Sequence, residues 1–289
     1  MDMGRESPKT LAELLQEPAV FGEVIHTTQN PALRWSSALF LYDIQENLNE
    51  EQKMVARDIL IRILMQLASQ ISARGIRSTK RRLTTFRPGL DEMEIEETME
   101  NIMGKTCPDH EDIIMVDKEP KERGVVMMLD ISNSMQSEKI LVAILAIGVL
   151  AYRLRGEKYA ILTFNNEVNV IKPMDQEMAI EVVIDKLLEV RSQGATNIRL
   201  ALETGLQQLS KDVASERLGI IATDGWVTKG EDPLEVAPRY SRLHVLQVPM
   251  GYGGCNSDMC TSMAKATKGK HFYVKNYREL PRAILEVLR

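Results

Sequence analysis

Cysteine is scarce in this 289-residue chain: Cys107, Cys255 and Cys260 are the full set. An odd number in no zinc-like spacing excludes a disulfide framework and a cysteine-bound zinc, and it implies reduced thiols in a cytosolic protein. Cys255 and Cys260 are also spaced too far for a redox C-x-x-C pair. The four histidines, His26, His110, His244 and His271, lie apart from one another. With no Ser-His or Cys-His arrangement in sight, they read as structural and the chain as non-enzymatic.

Long apolar runs are missing too. The longest, residues 140–152, is too short to span a bilayer and reads as a core helix. Residues Met1 to Glu6 carry no apolar signal core, so the expectation is a cytoplasmic protein with no membrane partner. A phosphate loop is lacking: Gly104-Lys105-Thr106 has Met99 where the first glycine would stand, and it follows a helix instead of a strand. A net charge of −5 gives no global case for nucleic acid. Internal repeats and low-complexity segments are absent as well. What remains is a soluble globular composition, 44% hydrophobic and 27% charged, long enough for two domains or one with an extension.

The chain is organised around Val125-Val126-Met127-Met128-Leu129-Asp130-Ile131-Ser132-Asn133-Ser134-Met135. Five apolar residues in a row predict a strand buried on both faces. Asp130, Ser132 and Ser134 then put one carboxylate and two hydroxyls on alternate residues of a loop. Strand, oxygen-rich loop and helix in succession mark the place where open α/β sheets bind ligands. Oxygen donors without Cys or His suit a hard cation such as Mg²⁺. The same residues also make good helix caps, so the motif alone is open between cap and metal loop. Two later loops offer matching oxygens. Gln193-Gly194-Ala195-Thr196-Asn197 opens a helix over 198–209, and Thr223-Asp224-Gly225 follows a buried strand over 218–222.

In their order and intervals, Asp130-x-Ser132-x-Ser134, Thr196 and Asp224-Gly225 resemble the metal-ion-dependent adhesion site of a von Willebrand factor type A domain. The resemblance runs over roughly residues 122–289. It implies that Ser132, Ser134 and Thr196 bind the ion through their hydroxyls, while Asp130 and Asp224 act through metal-bound water. It also implies one position left for a carboxylate from a partner protein. Neutral hydroxyls keep the ion electropositive toward that anion. Mg²⁺ is the expected ion, and Mn²⁺ accepts the same ligands. Asn133 stands where many relatives have glycine. Asn133, Asn197, Gly225 and Trp226 are the expected partner-binding rim, with Trp226 either anchoring a partner or packing under the loop.

Ahead of that region, residues 1–75 read as helical: a short helix at 7–15, then apolar stripes over 31–48 and 50–73 that predict an antiparallel hairpin. Residues 76–121 read as a charged linker and an acidic helix. Arg74, Arg77, Lys80, Arg81, Arg82 and Arg87 crowd one stretch, with Phe86 its one aromatic, and six acidic residues between Asp91 and Glu100 follow. Such a run reads as a solvated linker in preference to a nucleic-acid patch. Arg87-Pro88-Gly89 and the acidic run from Glu94 to Ile102 resemble the lead-in of CoxE-like type A domains. Those are associated with MoxR-type AAA+ ATPases, and related domains occur in magnesium-chelatase D-type subunits.

Residues 122–289 alternate strands with helices. Strands are expected at 125–129, 159–164, 168–171, 218–222, 243–248 and 271–274, after a short strand or extended connector at 112–116. Helices are expected at 140–152, 176–190, 198–209, 233–242, 259–267 and 278–288. This predicts an α/β fold with a doubly wound, mostly parallel sheet, Rossmann-like, preceded by the helical region. The functional expectation is a Mg²⁺-dependent protein-interaction module, an adaptor or assembly factor for an AAA+ ATPase. The alternatives are a chelatase-like subunit of a metal-insertion complex and a nucleic-acid-associated factor using residues 74–87.

Overall fold

The computed structural model describes residues 33–72, 79–90, 92–120, 123–212, 216–248 and 254–287, so the helix expected at 7–15 lies outside the described residues. Two compact units result: 33–72 together with 123–287, and 79–120.

Helix α1 (Arg34–Ile44) buries Trp35, Ala38, Leu41, Tyr42 and Ile44 and gives way to a 3₁₀ turn over Gln45–Asn47. The Asn49 side chain then accepts from the Gln52 N–H at 2.9 Å and caps α2 (Glu50–Ser72). The expected stripe therefore breaks where its asparagines stand.

In the smaller unit, β1 (Thr79–Thr85) pairs antiparallel with β2 (Ile114–Pro120), with Leu83 opposite Val116. Half of the stretch 74–87, expected as a solvated linker, is thus a strand. Lys80, Arg81 and Arg82 mask a run that also carries Thr79, Thr84 and Thr85, β-branched residues that suit a pleated surface. Helix α3 (Ile95–Ile102) is tied to β2 through Thr98, whose hydroxyl accepts from the Ile114 N–H at 2.9 Å and donates to its carbonyl at 3.3 Å. The side of α3 carrying Ile95, Met99 and, one turn on, Met103 is 63%, 55% and 76% exposed at those residues.

The larger unit is built on a six-stranded sheet. In chain order the strands are β3 (Arg123–Asp130), β4 (Tyr159–Phe164), β5 (Val168–Lys172), β6 (Glu216–Thr223), β7 (Arg242–Gln247) and β8 (His271–Tyr273). They lie in the order β5-β4-β3-β6-β7-β8, all neighbours parallel except the β4–β5 hairpin. Every residue of β3 and β4 is buried, as their unbroken apolar runs require of central parallel strands. The architecture is the doubly wound α/β sheet expected.

Helices α4 (Glu138–Arg153), α5 (Ile180–Glu189), α6 (Ile198–Leu209), α7 (Ser257–Lys265) and α8 (Leu280–Val287) flank it. Val126, Met128 and Leu162 share one core cluster with Leu202 of α6, Tyr240 and Met263 of α7. Val125, Met127 and Leu129 alternate to the opposite face.

Helix α4 is buried at every position from Lys139 to Ala151. A surface helix of an α/β sheet keeps a polar face, whereas α4 has none because the α1–α2 hairpin packs on it as well. The hairpin is also pinned to α5, where Arg57 donates to the Asp185 carbonyl at 2.9 Å and meets Glu189 at 2.7 Å. The uniform apolar run of residues 140–151 is thus the mark of a helix with a second helical layer outside it.

Two helices differ from expectation. The stretch 233–242 forms two 3₁₀ turns, Pro233–Glu235 and Ala237–Arg239, because Pro238 offers no N–H to a continuous helix. The last helix starts with a 3₁₀ turn at Tyr277–Glu279 before α8. Among the described residues no helix is long and apolar enough to cross a membrane.

Candidate metal centre

Adjacent parallel strands deliver the two carboxylates. β3 ends on Asp130, and Asp224 follows the last residue of β6; both are fully buried. Asp130 accepts from the Ser132 N–H at 2.9 Å and from the Thr223 hydroxyl at 2.5 Å. Asp224 accepts from the Trp226 N–H at 3.3 Å and from the Lys139 ammonium at 3.4 Å. The Ser132 and Ser134 hydroxyl oxygens lie 3.1 Å apart.

Three loops are laced together here. Asn133 and Gly194 exchange two hydrogen bonds, each 3.1 Å, and the Gln193 N–H reaches the Ile131 carbonyl at 2.8 Å. The Thr196 N–H donates to the Thr228 hydroxyl at 2.8 Å, and its carbonyl accepts from the Thr228 and Lys229 N–H groups, each at 3.1 Å. So the loop bearing Thr196 is fastened on one side to the D-x-S-x-S loop and on the other to the segment beyond Asp224. Thr196 itself is buried. Gly194 (φ +79°) permits the turn, where a Cβ would meet Asn166, whose side chain accepts from the Ala195 N–H at 2.6 Å.

The four expected rim residues divide. Asn133 is exposed, and Trp226 is 43% exposed. Asn197 is engaged as the cap of α6, accepting from the Leu200 N–H at 3.1 Å, and Gly225 is buried. Reading the sequence for metal ligands missed Thr223, Thr228 and Lys139. Of these, Lys139 had a visible signal, being a charge at the head of an otherwise apolar helix.

Burial pushes the Asp130 carboxyl up to about 6, against the opposing hydrogen bonds from Thr223 and Ser132 and with some help from the Asp224 charge. Burial likewise lifts the Cys260 thiol to about 12, aided by Asp224, so it is a protonated packing group and no nucleophile. Two buried carboxylates with one ammonium leave a negative charge uncompensated among the described residues, a costly arrangement that a cation relieves. The 3.1 Å hydroxyl separation matches one edge of an octahedron with metal–oxygen distances of about 2.1 Å, whose adjacent oxygens are about 3.0 Å apart. Among the described residues no group of three His, Cys, Asp or Glu side chains could hold an ion. Hard oxygen donors from Asp130, Ser132, Ser134 and Asp224, with Thr196 on the loop fastened beside them, suit a hard divalent ion in their chemistry.

The family model of the von Willebrand factor type A domain matches residues 124–285, more than half of the chain. The chain belongs to the von Willebrand factor type A family. Among solved structures, this type A domain is similar to the von Willebrand factor type A protein of Catenulispora acidiphila, with 14% identity and a TM-score of 0.51 over 61% of this chain and 44% of that one. It is also similar to the conserved hypothetical protein BatB from Bacteroides thetaiotaomicron, with 23% identity and a TM-score of 0.48 over 57% of this chain and 96% of the other. Manganese-loaded TRAP protein of Plasmodium vivax shares 19% identity over 58% of this chain and 74% of its own, with a TM-score of 0.47. At 14% identity the first of these speaks to the fold alone. Among curated proteins none matches the sequence. The type A fold places the D-x-S-x-S loop, the Thr196 loop and Asp224 at the carboxyl ends of β3 and β6 and the start of α6, where an open α/β sheet takes its ligand.

Proposed function

We propose that the chain is a divalent-cation-dependent protein-interaction module, with Mg²⁺ as its ion and Mn²⁺ as a substitute. Ser132, Ser134 and Thr196 would hold the ion directly, with Asp130 and Asp224 anchoring it through water. When bound, the ion supplies an electropositive point that accepts a carboxylate from a partner protein. The observation carrying this reading is the hydroxyl pair 3.1 Å apart above two buried carboxylates with a single ammonium. Trp226, on the exposed rim, gives a partner an aromatic surface beside the ion.

Binding is favoured over catalysis because the carboxylates are committed. Asp130 is held by Thr223 and Ser132, and Asp224 by Lys139 and Trp226. The two described strand histidines serve the fold: His244 accepts from the Lys270 N–H, and His271 bonds Gln247 and Thr261. The three free thiols support a reducing, cytoplasmic setting. The sequence resemblance of residues 87–102 supports an adaptor role beside a MoxR-type AAA+ ATPase. The exposed Ile95–Met99–Met103 stripe with its flanking glutamates supplies a second surface for that contact.

Affinity capture from native lysate tests both surfaces. The wild type is expected to retain a protein in Mg²⁺ that is lost with chelator and lost with Ser134→Ala. An AAA+ ATPase is expected to disappear only from the Ile95→Asp, Met99→Asp double variant. Identical captured sets in all conditions would overturn the metal-dependent reading.

A further inference from the structure

Lys139 is the one charged residue in the buried stretch 139–151 of α4, and only 4% of it is exposed. Its ammonium lies 3.4 Å from Asp224. The residue before it is held by α1. Glu138 accepts from the Trp35 indole N–H at 3.2 Å, and Trp35 stacks on Tyr277 at 4.5 Å. Ser137, whose side chain lies beside the Asp43 carboxyl of α1, is the one non-glycine residue with positive φ, +49°, among the described residues. The helical hairpin thereby fixes the turn from which Lys139 enters the metal centre.

We propose that Lys139 is a built-in competitor cation that weakens binding of the bare metal ion and makes the ion and an acidic ligand bind cooperatively. The proposal rests on the metal centre described above and extends it. Charge decides the sign. Asp130, Asp224 and Lys139 together carry two negative charges and one positive, a net −1. A divalent ion takes this buried cluster to +1, and a carboxylate arriving at the ion returns it to zero. Without Lys139 the ion alone neutralises the two carboxylates, and the arriving carboxylate leaves −1. In a buried site, where charges interact at low effective dielectric, the lysine opposes the first step and favours the second. Linkage then requires that the acidic ligand tighten the metal as much as the metal tightens the ligand.

The test is Mn²⁺ binding to the full chain by calorimetry, in chloride and in acetate of equal ionic strength, with acetate as the carboxylate probe. The wild type is expected to bind Mn²⁺ more tightly in acetate. Lys139→Met is expected to bind Mn²⁺ roughly tenfold or more tightly in chloride, since a positive charge has been removed nearby, and to lose the acetate response. Lys139→Arg keeps the charge and should follow the wild type. If the Met variant does not fold, Lys139→Gln, which retains a donor for Asp224, takes its place with the same expectation. Should the neutral variant match the wild type in Mn²⁺ affinity and acetate response, the proposed role of Lys139 is overturned while the metal centre stands. A wild type that binds no Mn²⁺ in either salt removes the metal centre itself.

Discussion

Replacing Asp130 by Asn is expected to stabilise the metal-free protein and to abolish its stabilisation by Mg²⁺. Burial raises the Asp130 carboxyl from 3.8 to about 6, so between those pH values the folded protein binds a proton that the unfolded chain has released. Stability from this group is therefore fully present below about pH 4 and is lost as pH rises through 6. The shift corresponds to on the order of 3 kcal/mol held against the metal-free protein at neutral pH. Asn removes that burden while still offering an oxygen to the Ser132 N–H or the Thr223 hydroxyl, and a gain of roughly 1–3 kcal/mol follows at pH 7. The metal acts oppositely, because it requires the ionised carboxylate. Wild-type affinity for Mg²⁺ should fall about tenfold for each pH unit below 6, as protons compete at Asp130. Thermal melts of both proteins with Mg²⁺ or chelator, from pH 5 to pH 8, read all of this. A metal-free variant less stable than the wild type at pH 7 would mean that Asp130 is stabilising as it stands, and the reading of its environment would be wrong.

The central strands and the oxygen-bearing loops at their ends were legible because their chemistry is local. An apolar run ending in alternating Asp and Ser specifies a buried strand and an oxygen-rich turn within eleven residues, and Asp224 repeats the logic at the end of β6. What was hidden is what lies between distant segments. Thr228 is an ordinary threonine in sequence, and only folding brings its hydroxyl to the Thr196 N–H. Lys139 reads as the polar start of a helix until the α1–α2 hairpin, contributed by a stretch far earlier in the chain, closes over α4 and buries it. β1 was obscured for a different reason. Its charges dominate its composition, but strand pairing with β2 depends on backbone register, which composition does not encode. The 3₁₀ turns over 233–239 show the converse: Pro238 was in plain view and outweighs the apolar spacing around it.

Gly225→Ala is expected to be the most damaging small substitution at the metal centre. Gly225 adopts φ +86°, a region that a side chain enters at about 1–2 kcal/mol. Its Cβ would also lie 2.5 Å from the Asn256 carbonyl oxygen and 2.6 Å from the Cys260 sulfur. Neither neighbour can yield cheaply. The Asn256 N–H is bonded to the Asp224 carbonyl at 2.9 Å, its side chain caps α7 by accepting from the Met259 N–H at 3.1 Å, and Cys260 is fully buried in that helix. Overpacking of this kind adds roughly 1–3 kcal/mol. The control is Gly156→Ala in the same unit. Gly156 has the same φ of +86°, but a methyl group added there would meet nothing within 4 Å, so it isolates the backbone term. Gly156→Ala should lower Tm by only a few degrees, and Gly225→Ala by roughly 10 °C, given about 2–4 °C per kcal/mol for a unit of this size. Only the second should also weaken Mg²⁺ binding, because displacing Asn256 shifts the backbone of Asp224, and the Gly225 N–H donates at 3.1 Å to the Thr223 hydroxyl that holds Asp130. Equal losses in the two variants would show that the left-handed backbone alone is responsible and that the wall behind Asp224 gives way freely.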